Sequence, residues 1–343
     1  MSSTTQPSTQ PSSEPPSENP KHTTEELLNA LTNSNTKKAK KVADGDGSDP
    51  MEIYRNVGKR AIALLDPFGV PAKAFLIGIQ HDKGGSIDDA LTPKELEQHL
   101  HFYNGILKLI PSLRNELDTM SPGRLTNIIK AITKGMSDGR SLDLASVKHK
   151  GMKYVPLNMF SNADALDPPI PEISDKSRRG IYHKDLARFL CPRRDLDEFD
   201  LDCYAGMEAL QGGDFSMKAS KWPSGFYEDG DYDPEDKTLG LFRNHTIVRF
   251  YKHLFIGPAA VMNESSTCQA SKPSKNRLWG LQSVDRYIIA YVHIITYITV
   301  SHAQHWTQII GEMDLQNLYW RIIEMLEDTS DLWVRETLAW WNK

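Results

Sequence analysis

Eleven histidines, three cysteines and 45 carboxylates are the side chains of this sequence with the widest chemical repertoire. His293, His302 and His305 fall close together, and His302-Ala303-Gln304-His305 has an i, i+3 spacing. Zinc sites use such short steps but need a third protein ligand. No His-Glu-x-x-His motif occurs, and the nearest acid after His305 is Glu312, seven residues on. The expectation is surface or satisfied core histidines and no metal. Cys191, Cys203 and Cys268 have no C-x-x-C spacing, so neither a zinc ribbon nor a redox pair is expected. Cys191 follows Phe189-Leu190 and precedes Pro192, which reads as a buried apolar thiol. The chain has no G-x-x-x-x-G-K-[ST], no G-x-G-x-x-G after a strand and no G-x-S-x-G. No catalytic residue and no cofactor is expected.

Charge is more informative. Residues 195–236 carry thirteen acids and two lysines, net -11. Asp229, Asp231 and Asp233 alternate as in a calcium loop, but the sixth and twelfth positions are Pro234 and Gly240 rather than Gly and Glu. Residues 44–49 fail the same test, because Arg55 stands where the twelfth-position Glu belongs. Residues 237–277 then invert the sign, with seven Lys/Arg against Glu264, net +6. Arg243, Arg249 and Lys252 are interleaved there with His245, Phe250, Tyr251 and His253. Basic residues among aromatics suit nucleic acid. They equally suit a helix whose basic face pairs with the preceding acidic stretch. The second reading is preferred, because phosphate binding usually draws on a basic surplus that this chain lacks.

The elements that must position these groups are mostly helices. Asp49-Pro50-Met51-Glu52 and Thr92-Pro93-Lys94-Glu95 have capping-box spacing. Ile53, Val57, Ala61, Leu64 and Leu65 form one stripe, and Leu96, Leu100, Tyr103, Leu107 and Ile110 another. A helix from Pro122 turns Leu125, Ile128, Ile129, Ile132 and Met136 inward; Gly139 is expected to interrupt it before a shorter helix over 141–148. Residues 154–176 hold four prolines among Asn, Asp and Ser, and read as an extended loop that divides two subdomains. Further helices are expected near 181–190, 199–210, 246–256, 283–301, 314–327 and 330–341. Tyr287–Val300 offers 14 largely apolar residues where a membrane span needs about 20, so a buried helix is expected. On the last helix, Trp333, Thr337, Trp340 and Trp341 share a side.

The chain has 343 residues, 40 Lys+Arg, 45 Asp+Glu and 39% hydrophobic residues, for a net charge of -5. Three cysteines exclude a disulfide scaffold. Residues 1–49 contain no Phe, Trp or Tyr, and residues 1–20 contain nine Ser/Thr and five Pro. Such a segment is expected to stay disordered, with one transient helical turn over 24–31. No apolar segment follows Met1, so an intracellular protein is expected. Lys37-Lys38-Ala39-Lys40-Lys41 fits a nuclear import signal or a solvated charge run, which leaves nucleus and cytoplasm both open. The division is thus a tail over 1–49 and a multi-helix globular domain with long irregular loops over 50–343.

Several stretches resemble an uncharacterised domain family of basidiomycete fungi. They are Arg179-Gly180-Ile181-Tyr182-His183-Lys184-Asp185-Leu186-Ala187-Arg188-Phe189-Leu190-Cys191-Pro192, Trp222-Pro223-Ser224-Gly225-Phe226-Tyr227, Gly240-Leu241-Phe242-Arg243, Tyr251-Lys252-His253-Leu254-Phe255-Ile256-Gly257-Pro258 and Leu338-Ala339-Trp340-Trp341-Asn342. The resemblance covers roughly 50–343 and is strongest after Arg178. It implies no activity, cofactor or catalytic residue. Within these stretches, Trp222 and Tyr227 are expected to floor a pocket rimmed by Arg243 and His253, with Arg249 and Lys252 beside it. Arg243 is expected to pair with the carboxylates of 233–236. The function expected is a non-catalytic interaction module, acting on a protein partner or on itself through the C-terminal Trp-rich helices. Nucleic-acid binding linked to mobile elements through 237–277 is the alternative, and a metal-dependent hydrolase the second alternative.

Overall fold

The computed structural model describes residues 49–87, 90–170, 175–228, 233–262 and 273–343, with Glu26, Asn29 and Leu31 before them. The lysine run at 37–41 and most of the tail lie outside the described residues. Leu31 is helical and buried against the main core. That turn is too short to hold by itself, so burial on the body is what sustains it.

The chain is mostly helical, as its periodicity predicts. Thr92 closes its capping box in full: its hydroxyl accepts from Glu95 N, and its own N–H donates to Glu95 Oε2 at 2.9 Å. The first helices are α1 (Glu52–Leu64), α2 (Pro71–Asp82), α3 (Pro93–Leu109), α4 (Pro111–Glu116) and α5 (Pro122–Val147). Gly139 does not interrupt α5, which continues through it. A Cβ on Gly139 would lie 2.8 Å from Ile62 Cδ1, so this glycine admits α1 rather than ending a helix. Ile53, placed by its spacing on the inner face of α1, is exposed because the crossing onto α5 starts beyond it.

The middle of the chain is irregular. Turns of 3₁₀ helix at 150–154 and 180–182 flank the proline-rich loop, and α6 (Lys184–Leu190), α7 (Leu196–Leu201) and α8 (Cys203–Gly212) follow. Two buried cations anchor the return of this loop to the body. Lys176 donates to the carbonyls of Ile298 and Ala303, and Arg179 donates to the carbonyl of Lys148 at 2.7 Å. Both lie at helix C-terminal ends, where unpaired carbonyls favour positive charge.

The remainder comprises α9 (His245–Tyr251), a π-helical turn (Lys252–Ile256), α10 (Ala259–Met262), α11 (Lys275–Trp279), α12 (Arg286–Val300), the two-residue strands β1 (Ile309–Ile310) and β2 (Met313–Asp314), α13 (Leu315–Met325) and α14 (Leu332–Trp341). β1 and β2 pair antiparallel around Gly311. Helix α12 forms the centre. From Ile288 to Val300 every residue is buried, and it packs on α1, α5, α6, α9 and α13. No described helix is long and apolar enough to cross a membrane.

The core holds titratable groups whose effects oppose one another. Burial pushes the Asp66 carboxyl up to about 7, against lowering by the Phe68 and Gly69 amides and by Arg140. Burial pushes His101, His253 and His293 down to about 4. A carboxyl raised on folding adds stability at low pH that is lost as pH climbs from about 4 to about 7. A histidine lowered on folding does the reverse, because only the unfolded chain takes up its proton between about 6.5 and 4. Asp66→Asn removes the first effect alone. The variant is therefore expected to exceed the parent at pH 7 by on the order of 3 kcal/mol, and to lose that advantage by pH 4. Urea titrations across that range check it; an offset independent of pH contradicts it.

Candidate functional site

Two large cavities open on the surface. A cleft of about 700 Å³ lies between the loop at 155–167 and the segment from α6 to Thr246. Its charged side chains are of both signs and partly matched: Lys184 pairs with Asp167 at 2.7 Å, and Arg188 holds Asp200 through two bonds of 2.7 Å. A groove of about 670 Å³ lies between α9, the π-helical turn and the C-terminal end of α14. His245 lines both.

The groove arises from two segments some ninety residues apart in sequence. Trp341 is buried and meets Tyr251 edge to face at 5.9 Å. Its indole N–H donates to the Phe242 carbonyl at 2.9 Å. Asn342 completes the junction: its Oδ1 accepts from Val284 N at 2.7 Å, and its amide donates back to the Val284 carbonyl at 3.0 Å. Trp340 then stays half-buried on the groove wall beside Leu281, with Ile256 exposed at its edge. Lys252, on the π-helical turn, is exposed. Among the described residues that line the groove there is no aspartate or glutamate.

The six residues singled out by sequence do not share one pocket. Trp222 packs edge to face on Phe242 at 5.2 Å, and the Arg321 guanidinium lies over its ring at 5.6 Å. Tyr227 is buried, donates to the Lys237 carbonyl and reaches the edge of the cleft. Arg243 does not pair with the carboxylates of 233–236. Its Nε and Nη2 donate to Thr337 Oγ1, at 3.2 and 2.9 Å, and Nη2 lies 4.0 Å from Glu336 Oε2. The carboxylates at 233 and 236 close turns instead, accepting from Glu235 N and Thr238 N. His253 is buried, with the Tyr154 hydroxyl 2.7 Å from Nδ1. Arg249 donates to the carbonyls of Tyr154, Pro156 and Leu157. Arg249 and Lys252 line the groove, whereas Trp222, Arg243 and His253 line neither cavity.

Among the described residues, no ion pair joins the acids of 195–236 to the bases of 237–277. Asp195, Asp197 and Asp200 pair with Arg194, Arg193 and Arg188, and Lys275 pairs with Asp143. For these three acids, neighbours in sequence supplied the nearer partners, whereas Lys275 found its acid 132 residues away. The sequence reading named Trp340 only as part of the C-terminal Trp-rich face and did not assign Leu281 or Ile256 to a site. A signal for Trp340 existed in the adjacent Trp pair, since a short helix cannot bury both rings. The π-helical turn leaves no such trace.

Cys191 is fully buried, and burial pushes its thiol up to about 12, with Asp195 and Asp200 adding to the effect. The thiolate needed for nucleophilic chemistry is thus suppressed. His293 sits among Phe226, Phe242 and Trp341 and bonds the Ile289 carbonyl one turn back through Nδ1 at 2.8 Å. It is a core histidine.

Residues 134–343 match a family of unknown function (DUF6698). The chain belongs to this family. No curated protein and no solved structure matches it. The DUF6698 match begins inside α5 and takes in every residue that lines the cleft and the groove. Helices α1 to α4 lie before it.

Proposed function

We propose that this member of DUF6698 is a non-catalytic interaction module, and that its docking surface is the groove beside α14. The occupant is an acidic segment of a partner protein with an apolar or aromatic anchor. One observation carries this reading: an apolar wall of Trp340, Leu281 and Val284 lies beside the exposed Lys252, with no described carboxylate side chain among the lining residues. A half-buried Trp among apolar neighbours is the kind of anchor that dominates interface energetics, and the lysine supplies a complementary charge at the rim. The intracellular setting and the fungal range implied by the sequence resemblance belong to the same proposal.

Nucleic-acid binding through 237–277 is less well supported. Arg249 donates to three backbone carbonyls, Arg243 to Thr337, and Lys275 is paired with Asp143, so these three cations of the stretch are already committed within the protein.

The test uses the full chain and a fluorescein-labelled peptide of alternating Glu and Leu with one Trp. Saturable binding is expected, weakened about tenfold by Lys252→Glu and by Trp340→Ala. No binding, or binding indifferent to both substitutions, overturns the proposal. So does tighter binding of a single-stranded oligonucleotide with a steep loss of affinity in salt.

A further inference from the structure

A third cavity, of about 300 Å³, lies between the C-terminal ends of α6, α8 and α12 and the β1–β2 hairpin. It is separate from the groove and shares no lining residue with it. Its walls are largely apolar: Leu190, Leu210, Phe215 and Ile310 are all buried core residues, and Met217 adds a thioether. Two glycines in the left-handed region, Gly213 and Gly311, turn the chain at its rim.

Tyr297 lines this cavity and is 1% exposed, yet its hydroxyl forms no hydrogen bond with any described group. Buried hydroxyls are nearly always paired, so an unpaired one at a cavity wall calls for a partner that the protein itself does not supply. Burial holds this phenol well above its usual range, so the group is a donor at every physiological pH. The other polar groups at the cavity are already engaged or uncharged. The Ser301 hydroxyl donates to the Ile298 carbonyl. Glu312 accepts from Ser216 at 2.6 Å and faces Lys218 at 3.9 Å. Burial lowers His302 below its ordinary value, which keeps the imidazole neutral.

Size narrows the ligand. An apolar cavity of about 150 Å³ accommodates benzene. Twice that volume matches about two fused rings. We propose that this cavity is a small-molecule site for an uncharged aromatic compound of about two rings, whose one oxygen accepts the Tyr297 hydroxyl hydrogen bond. A charged ligand is disfavoured, because among the described residues that line the cavity only Glu312 carries a full charge at neutral pH, and it is held by Ser216 and Lys218.

The probes are 2-naphthol and naphthalene, titrated against the full chain by fluorescence. Saturable 1:1 binding of both is expected, with 2-naphthol the tighter. Tyr297→Phe keeps the shape and removes the donor, so it should weaken 2-naphthol about tenfold and leave naphthalene unchanged. Met217→Trp fills the cavity from its half-exposed edge and should abolish both. Failure of both probes to saturate means a cavity that holds water only and overturns the proposal. Equal loss of both probes in Tyr297→Phe overturns the role of the hydroxyl. Retained binding in Met217→Trp overturns the location.

Discussion

Gly135→Ala is expected to destabilise the domain by about 3 kcal/mol, at the upper end of what overpacking a core costs and a large fraction of the stability of a typical domain. Helices α1 and α5 touch through their backbones. An added Cβ at Gly135 would lie 2.0 Å from the Arg55 carbonyl oxygen, and one at Gly58 would lie 2.2 Å from the Ile132 oxygen. Neither obstacle is the end of a flexible side chain, so the helices themselves must separate. Separation opens the packing of Val57, Ala61, Ile128 and Ile132, which are buried along the same seam. Helix propensity works the other way by about 1 kcal/mol and cannot compensate. Gly123→Ala is the control. It lies on the same helix with open space around its Cβ position, and should stabilise by up to about 1 kcal/mol. Urea midpoints of the two variants are expected to move in opposite directions; a common direction contradicts the backbone contact.

The next largest effect is expected at Asp143. This buried carboxylate accepts the Tyr291 hydroxyl at 2.8 Å through one oxygen and pairs with the Lys275 ammonium through the other. Lys275 also lies over the rings of Phe255 and Trp279, at 5.6 and 5.3 Å. Asp143→Ala leaves a partly buried cation and a buried phenol without their acceptor, a loss of about 3–5 kcal/mol. Adding Lys275→Met to that variant removes the stranded charge and should recover a large part of the loss. Thermal or urea unfolding of the single and double variants decides it. If the double variant is no more stable than Asp143→Ala, the loss stems from the cavity and Tyr291 rather than from the charge.

These two sites show where local reading stops. Gly139 was expected to break a helix, which is what a glycine does when its neighbours are water. In the fold its neighbour is Ile62, and the missing side chain is what lets α1 approach. Arg243 was expected to find the carboxylates ten residues before it. Those acids are used by their own turns, and Thr337 is the acceptor that packing brings into reach. Phe242 illustrates the same limit: it takes a positive φ of 64°, unusual for an aromatic residue, under contacts from Trp222, His293 and Trp333. The Trp341 indole secures its carbonyl from the far end of the chain.

The candidate surface was half legible. Arg249, Lys252, Trp340 and Trp341 stood out by type, and all four line the groove, whereas Trp333 does not. That they form one surface, with Trp340 on its wall, could not be read from spacing.

By itself the sequence determined the helical class, the Thr92 capping box, the burial of the α12 segment and the inward stripes of α3 and α5. These follow from interactions between residues a few positions apart, which a periodicity or a cap records directly. The tertiary structure alone decided which glycines are contacts, which cations are spent on carbonyls, and that Lys252 and Trp340 share a groove. Each of those depends on groups far apart in the chain, and partners at that separation are chosen by packing rather than by spacing.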